Sequence, residues 1–167
     1  KDEVALSNEE MDKIDLKSIV QSVVDDFNNI YITKRGIKIN LNIDEKIKDF
    51  NILGIENRIE QILANLLDNA ISFSKDNQKV TVEIQKEKNN IVVLRVIDQG
   101  QGFKEKKLNK IFDRFYSNRP DKFGEHSGLG LNIVKNLVEL HGGIIAASNN
   151  PDKIGARIEI SFPQHNS

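Results

Sequence analysis

Apolar positions along the chain follow a helical period in some stretches and a two-residue period in others, and the rhythm changes at turn-forming residues. Met11 to Leu16 suits a short strand running into a helix over about Asp15 to Lys34, with Leu16, Ile19, Val20, Val23, Val24 and Phe27 on one face. Gly36 ends that helix, and Ile37, Ile39, Leu41 and Ile43 then alternate as a half-buried strand does. A short strand near Asn51–Leu53 precedes Gly54. A second helix is expected over about Ile55 to Phe73, turning Ile59, Ile62, Leu63, Leu66, Ala70 and Phe73 inward. Lys79 to Lys86 alternates again, Ile91 to Ile97 is almost wholly apolar as a central strand is, and Asn89-Asn90 between them signals a hairpin. A short helix near Lys104–Phe112 and an irregular segment, Asp113 to Ser127, come next. A third main helix, Leu129 to His141, stops at Gly142-Gly143, and strands over about Ile144–Ser148 and Ala156–Phe162 close the chain. The sum predicts an α+β fold, a two-layer α/β sandwich with three main helices on one face of a mixed, mostly antiparallel sheet built from hairpins. Strand and helix do not alternate regularly enough for a doubly wound fold.

Composition mainly excludes. The 167 residues suit one domain, and 24 Lys plus Arg against 25 Asp plus Glu leave a net charge of −1, which argues for neither nucleic acid nor an anionic membrane. Zero cysteine rules out disulfides, thiolate zinc sites and cysteine nucleophiles. No apolar stretch approaches a membrane span, and Lys1-Asp2-Glu3 does not read as a signal peptide. Arrangement says more than the totals. Lys1 to Asn28 holds eight acidic residues against three lysines, while Lys104 to Lys122 holds seven basic against three acidic, a local charge of +4. Half of the ten glycines (Gly100, Gly102, Gly124, Gly128, Gly130) crowd around that basic stretch.

Four groups of residues carry candidate chemistry. Asn65 and Asn69, flanked by Gln61 and Ser72, form an uncharged polar stripe on the second helix, opposite its leucines. Solvated surface explains such a stripe, and so does a set of neutral oxygen ligands for a Mg²⁺ ion held together with phosphates. Asp98-Gln99-Gly100-Gln101-Gly102 follows the buried strand; by itself it is a turn, or else an acceptor for an exocyclic amine beside glycines that admit a ligand. Gly124 to Leu131 enters the third helix, where free N–H groups at a helix start suit an anion, though it is neither a Walker loop nor a Rossmann fingerprint. Arg114, Arg119 and Lys122 lie between the last two groups in a segment able to swing onto a triphosphate.

The order of these groups resembles the catalytic, ATP-binding (Bergerat-fold) domain of sensor histidine kinases, within the superfamily of gyrase, mismatch-repair and heat-shock chaperone ATPases. Asn65-Leu66-Leu67-Asp68-Asn69-Ala70 is similar to the N box and Asp98 to Gly102 to the G1 box. Ile111-Phe112-Asp113-Arg114-Phe115-Tyr116 resembles the F box, and Gly124 to Leu131 with Ile133-Val134-Lys135 the G2 box. The likeness runs from about Met11 to Pro163. It implies ATP and Mg²⁺ as ligands. Asp98 would accept from the adenine amino group, with Gly100 and Gly102 around the base and Phe73 stacked near the nucleotide. Asn65 and Asn69 would hold the metal, and Ser127, Gly128, Leu129 and Gly130 would face the phosphates. Arg114, with Arg119, Lys104 and the adjoining Phe115, would close over the γ-phosphate as part of a lid from Asp113 to Ser127.

Hydrolytic members of the superfamily carry a glutamate where this chain has Asn65, and an amide cannot deprotonate water. The resemblance therefore implies a domain that holds the γ-phosphoryl group for another nucleophile. Two departures stand out. Ser72 occupies a position where many members have a lysine that touches phosphate. The H box with its phosphoacceptor histidine is also missing, since His126, His141 and His165 have no such setting. Residues 1–11 then read as a linker from an upstream dimerisation and phosphotransfer domain, 12–163 as the catalytic domain and 164–167 as a tail. The implied partners are that domain and a response-regulator receiver, with no nucleic acid and no direct membrane contact. The implied setting is a monomeric cytoplasmic segment of a membrane-anchored bacterial kinase. A serine kinase of the anti-sigma type shares the fold but not the F-box-like motif, and a nucleotide-sensing module without phosphoryl transfer is the non-enzymatic alternative.

Overall fold

The computed structural model describes residues 10–104, 107–113, 129–151 and 154–165. Strand β1 (Asp12–Asp15) leads directly into helix α1 (Leu16–Arg35). Asp15 caps that helix, accepting from the Lys17 N–H at 3.1 Å and from Ser18 Oγ at 2.7 Å. The stripe Leu16, Ile19, Val20, Val23 and Val24 is buried, as its spacing predicts. Strands β2 (Lys38–Ile43) and β3 (Asn51–Gly54), helix α2 (Glu56–Phe73) and strands β4 (Lys79–Glu87) and β5 (Ile91–Ile97) follow. A 3-10 helix at Leu108–Phe112, helix α3 (Leu129–Leu140) and strands β6 (Ile144–Asn149) and β7 (Ala156–Pro163) complete the fold.

Five strands form one sheet in the order β2-β4-β5-β7-β6. The β4–β5 hairpin turns through Asn89 and Asn90, whose φ angles of 67° and 59° are the two positive values that a tight hairpin turn requires. β6 and β7 form a second hairpin, from Ile144↔Ser161 to Asn149↔Ala156. Hairpins do not account for the rest. β2 pairs parallel to β4, from Lys38↔Lys79 to Ile43↔Ile84, through a crossover that contains α2, while β1 and β3 form a separate two-stranded pair, to which Gln164 adds a bridge at Ile52. Alternation marks a strand and its buried face without naming its partner, so these pairings were invisible in the pattern.

The three helices cover one face of this mixed sheet, above Val80, Val82, Ile84, Val92, Leu94 and Ile160, all buried. Charged residues carry the opposite face, where Arg95 lies 2.6 Å from Glu159 and 3.2 Å from Glu87. Asn28 on α1 closes the edge of β2, donating to the Ile39 carbonyl at 3.0 Å and accepting the Ile39 N–H at 2.8 Å.

Two stretches differ from the periodic reading. Of the helix expected over Lys104–Phe112, the described residues form only the 3-10 helix, in which Ile111 and Phe112 are buried. The last turns of α2 carry no solvated stripe: Asn69, Ile71 and Ser72 are buried along with the apolar residues. Burial there is made tolerable by local hydrogen bonds. Ser72 Oγ donates to the Asn69 carbonyl at 2.7 Å and Ser74 Oγ to the Ala70 carbonyl at 2.8 Å. From α1, Arg35 donates to the carbonyls of Ile71 (2.9 Å) and Ser74 (2.7 Å) while Asp76 holds its Nε at 2.8 Å.

Candidate nucleotide site

β5 is central and apolar, so the residue that ends it is carried into the interior. That residue is Asp98, only 3% exposed. Its Oδ1 accepts two backbone N–H groups, from Gly100 at 2.9 Å and from Ala156 at 3.1 Å. No hydrogen bond to its Oδ2 is present among the described residues, which leaves that oxygen for a ligand. Burial pushes the carboxyl up to about 6, and the Ala156 and Gly100 donors pull it back only in part.

The loop after Asp98 is shaped by its neighbours. Gly102 has φ 81°, a conformation that side chains disfavour, and an added Cβ there would lie 2.8 Å from Asn149 Oδ1. Gly100 lies against the Phe73 carbonyl so closely that any Cβ would collide with it. Phe73 and Phe103 meet edge to face, their centroids 6.0 Å apart. The end of α2 and this loop thus share a wall. A cavity of about 770 Å³ opens beside it, lined by Ser72, Phe73, Gly100, Gln101, Arg35 and Ile154; Asn65, Asn69 and Asp98 are outside its lining. The Ser72 hydroxyl is turned into its own helix, and the nearby Arg35 is committed to carbonyls and Asp76.

Asn65 is half-buried and Asn69 is 3% exposed, one turn apart on α2. At the other end of that helix His141 accepts the Ile55 N–H at 3.2 Å through Nε2, while its Nδ1 lies 2.8 Å from the Leu137 carbonyl. That contact joins the end of α3 to the start of α2. The two helices pack against each other. Leu129 is the first residue of α3, and a Cβ at Gly130 would meet nothing within 4 Å. Packing among the described residues does not demand a glycine there. Lys104 is exposed, and no hydrogen bond joins Asn65 to Asp98. Arg114, Phe115, Arg119, Ser127 and Gly128 lie outside the described residues.

Four residues at this site carried no signal that the sequence reading used: Phe103, Asn149, Gly155 and Ala156. Asn149 and Phe103 are 46 positions apart in the chain, and Ala156 and Asp98 are 58 apart. A lone glycine between two closing strands was the one available hint, since Gly155 packs directly on the Asp98 carbonyl with φ 142°.

Known proteins share both sequence and fold with the chain. Residues 54–166 match the profile of the histidine kinase-, DNA gyrase B- and HSP90-like ATPases. Sensor protein ChvG of Agrobacterium fabrum is 35% identical over 168 residues, covering 95% of this chain and 28% of that protein. Sensor protein KdpD of Clostridium acetobutylicum is 41% identical over 109 residues, 64% of this chain and 12% of that one. The chain thus spans well under a third of these relatives. The catalytic domain of histidine kinase ThkA superposes with a TM-score of 0.79 at 25% identity, over 93% of this chain and 97% of that domain. Full-length ShkA in complex with AMPPNP shares the fold, with a TM-score of 0.79 at 24% identity over 95% of this chain and 32% of ShkA. Among the described residues no helix is long and apolar enough to cross a membrane. With a matching profile over most of its length and the architecture of a kinase catalytic domain, the chain belongs to the histidine kinase-, DNA gyrase B- and HSP90-like ATPase family.

Proposed function

We propose that this chain is the ATP-binding catalytic part of a sensor histidine kinase, on the cytoplasmic side of a membrane-anchored protein. It donates the γ-phosphoryl group of Mg-ATP to a histidine on a separate dimerisation domain, for relay to a response-regulator aspartate. The observation that carries this reading is Asp98: a buried carboxylate with one oxygen engaged by the backbone and the other left as an acceptor. The exocyclic amine of adenine is the complementary donor, and Gly100, Gly102 and Phe73 form the surrounding wall.

Asn65 and Asn69 present amide oxygens, and no cluster of three His, Cys, Asp or Glu is found among the described residues. Such donors fit a Mg²⁺ that arrives with phosphates and keeps part of its water shell. When bound, that ion would neutralise charge on the transferred phosphoryl group. The start of α3, at Leu129 and Gly130, would offer backbone N–H groups and the positive end of the helix dipole to the phosphates, a role the resemblance extends to Gly128. By the resemblance, Arg114 would neutralise charge on the γ-phosphate, and Arg119, Lys104, Phe115 and Ser127 would contribute to nucleotide binding. Asn65 supplies no base for water, so the phosphoryl group waits for the histidine.

The test is a titration of the chain with Mg-ATP, followed by addition of a separately expressed acceptor domain. Binding without self-labelling is expected, then acid-labile phosphate on the acceptor. Asp98→Ala and Asn65→Ala should each weaken binding by roughly 10-fold or more, the loss of a charge-assisted contact. Ordinary affinity in both variants refutes the site. Acid-stable phosphoserine on a partner would mark a serine kinase, and binding without transfer would mark a nucleotide-sensing module.

A further inference from the structure

The loop from Asp98 to Phe103 forms the wall of the base site. Its bonds come from elsewhere. At its start, Asp98 pairs with β7: its N–H donates to the Ala156 carbonyl at 3.0 Å, and its Oδ1 accepts the Ala156 N–H at 3.1 Å. Gln99 Oε1 accepts the Lys79 N–H at 2.7 Å. At its far end the Asn149 side chain holds the main chain. Its Oδ1 accepts the Phe103 N–H at 2.7 Å and its Nδ2 donates to the Phe103 carbonyl at 3.2 Å.

A carboxamide is the side-chain group that offers one acceptor and one donor side by side, as a neighbouring strand does. Asn149 therefore extends the sheet by one residue onto the loop. Asn149 and Ala156 are themselves cross-strand partners at the mouth of the β6–β7 hairpin. The Asn150 N–H donates to the Gly155 carbonyl at 2.8 Å and closes that mouth. One rigid pair of residues thus grips the loop at both ends, Ala156 at Asp98 and Asn149 at Phe103. Beyond Phe103 the grip reaches Phe73, whose ring meets that of Phe103 edge to face.

We propose that Asn149 is a positioning residue for the purine base: it fixes the Gly102–Phe103 rim, and through Phe103 the Phe73 wall, against Asp98. This rests on the assignment of Asp98 to adenine. The prediction concerns the base and not the phosphates, so adenosine, ADP and ATP should lose affinity by the same factor when the grip is removed.

The experiment compares the wild-type chain with Asn149→Ala, Asn149→Leu and the control Ser148→Ala. The control removes the neighbouring hairpin bond, in which Arg157 Nε donates to Ser148 Oγ at 3.2 Å. Binding of adenosine, ADP, ATP and GTP is measured by calorimetry, and exchange of the Phe103 amide hydrogen by NMR without ligand. Both Asn149 variants should expose the Phe103 amide to faster exchange. They should also weaken all three adenine ligands by roughly 5- to 20-fold and narrow the ATP/GTP preference, one or two hydrogen bonds' worth of positioning. Ser148→Ala should lower the melting temperature without changing that preference. Unchanged Phe103 exchange, or an unchanged ATP/GTP ratio with faster exchange, overturns the proposal. Failure of the wild-type chain to bind any adenine ligand would instead overturn the assignment of Asp98, and the role of Asn149 with it.

Discussion

Asp98 has a carboxyl raised to about 6 from an ordinary 3.8, and burial is the main cause. A raised acid pKa means that the folded chain takes up a proton the unfolded chain does not. Its ionised form therefore costs stability above about pH 6, and the cost is relieved as pH falls from 6 toward 4. Two pKa units correspond to about 3 kcal/mol at most. Asp98→Asn imitates the protonated side chain, so without ligand it should be more stable than wild type at pH 7.5 by about 1–3 kcal/mol. Urea unfolding should show that gap narrowing as pH falls from 6 and closing near pH 4. Nucleotide affinity should move the other way. Below pH 6 the Oδ2 proton faces the adenine amine, donor against donor. In Asp98→Asn the two backbone donors keep the carbonyl oxygen and turn the new amide N–H groups to the base, so binding is weak at every pH.

At the level of elements, α2 ends in a buried setting because α1 supplies its cap. Arg35 covers the carbonyls of Ile71 and Ser74 with two guanidinium nitrogens. Arg35→Met should cost about 1–3 kcal/mol in urea unfolding, since the Ser74 carbonyl loses its guanidinium donor and the Ile71 carbonyl keeps only the Ser74 N–H. Arg35→Lys should recover only part, since a single ammonium cannot reproduce the fork. Helix α3 makes the opposite prediction. A Cβ at Gly130 meets none of the described residues within 4 Å, and alanine is the better helix former by up to about 1 kcal/mol. Gly130→Ala should leave the fold as stable or slightly more so, yet weaken Mg-ATP binding, because in the proposed site the new methyl group would occupy the space through which phosphate approaches the backbone. A stability gain with undiminished affinity would remove Gly130 from the site.

For the whole molecule, ligand binding and folding are linked. The proposed site would join α2, the loop after β5, the β6–β7 hairpin and the start of α3, so a nucleotide bound there should stabilise the entire fold. At 100 times its dissociation constant, Mg-ATP should contribute about 2.7 kcal/mol. For a chain of this size that is a rise in melting temperature of roughly 5–10 °C, read by scanning calorimetry. Chelating Mg²⁺ should shrink the shift, while adenosine alone should keep the part that belongs to the base.

Much of this architecture was legible in residue order. Stripes such as Leu16–Ile19–Val23 and alternations such as Val80–Val82–Ile84 located the helices and strands, because burial on one face leaves a period in the chain. Asn89-Asn90 announced its hairpin because few residues accept positive φ. The box order singled out Asn65, Asn69, Asp98 and Gly130 as residue types suited to a nucleotide. A period records that a face is buried and not what buries it, so contacts between distant segments left no trace. Only the tertiary structure decided that β2 runs parallel to β4, that Asn69 and Ser72 are enclosed, and that Arg35 caps α2. It alone decided which oxygen of Asp98 is free and that Asn149 holds Phe103. Those arrangements depend on where separate elements meet, a distance in space that spacing along the chain does not encode.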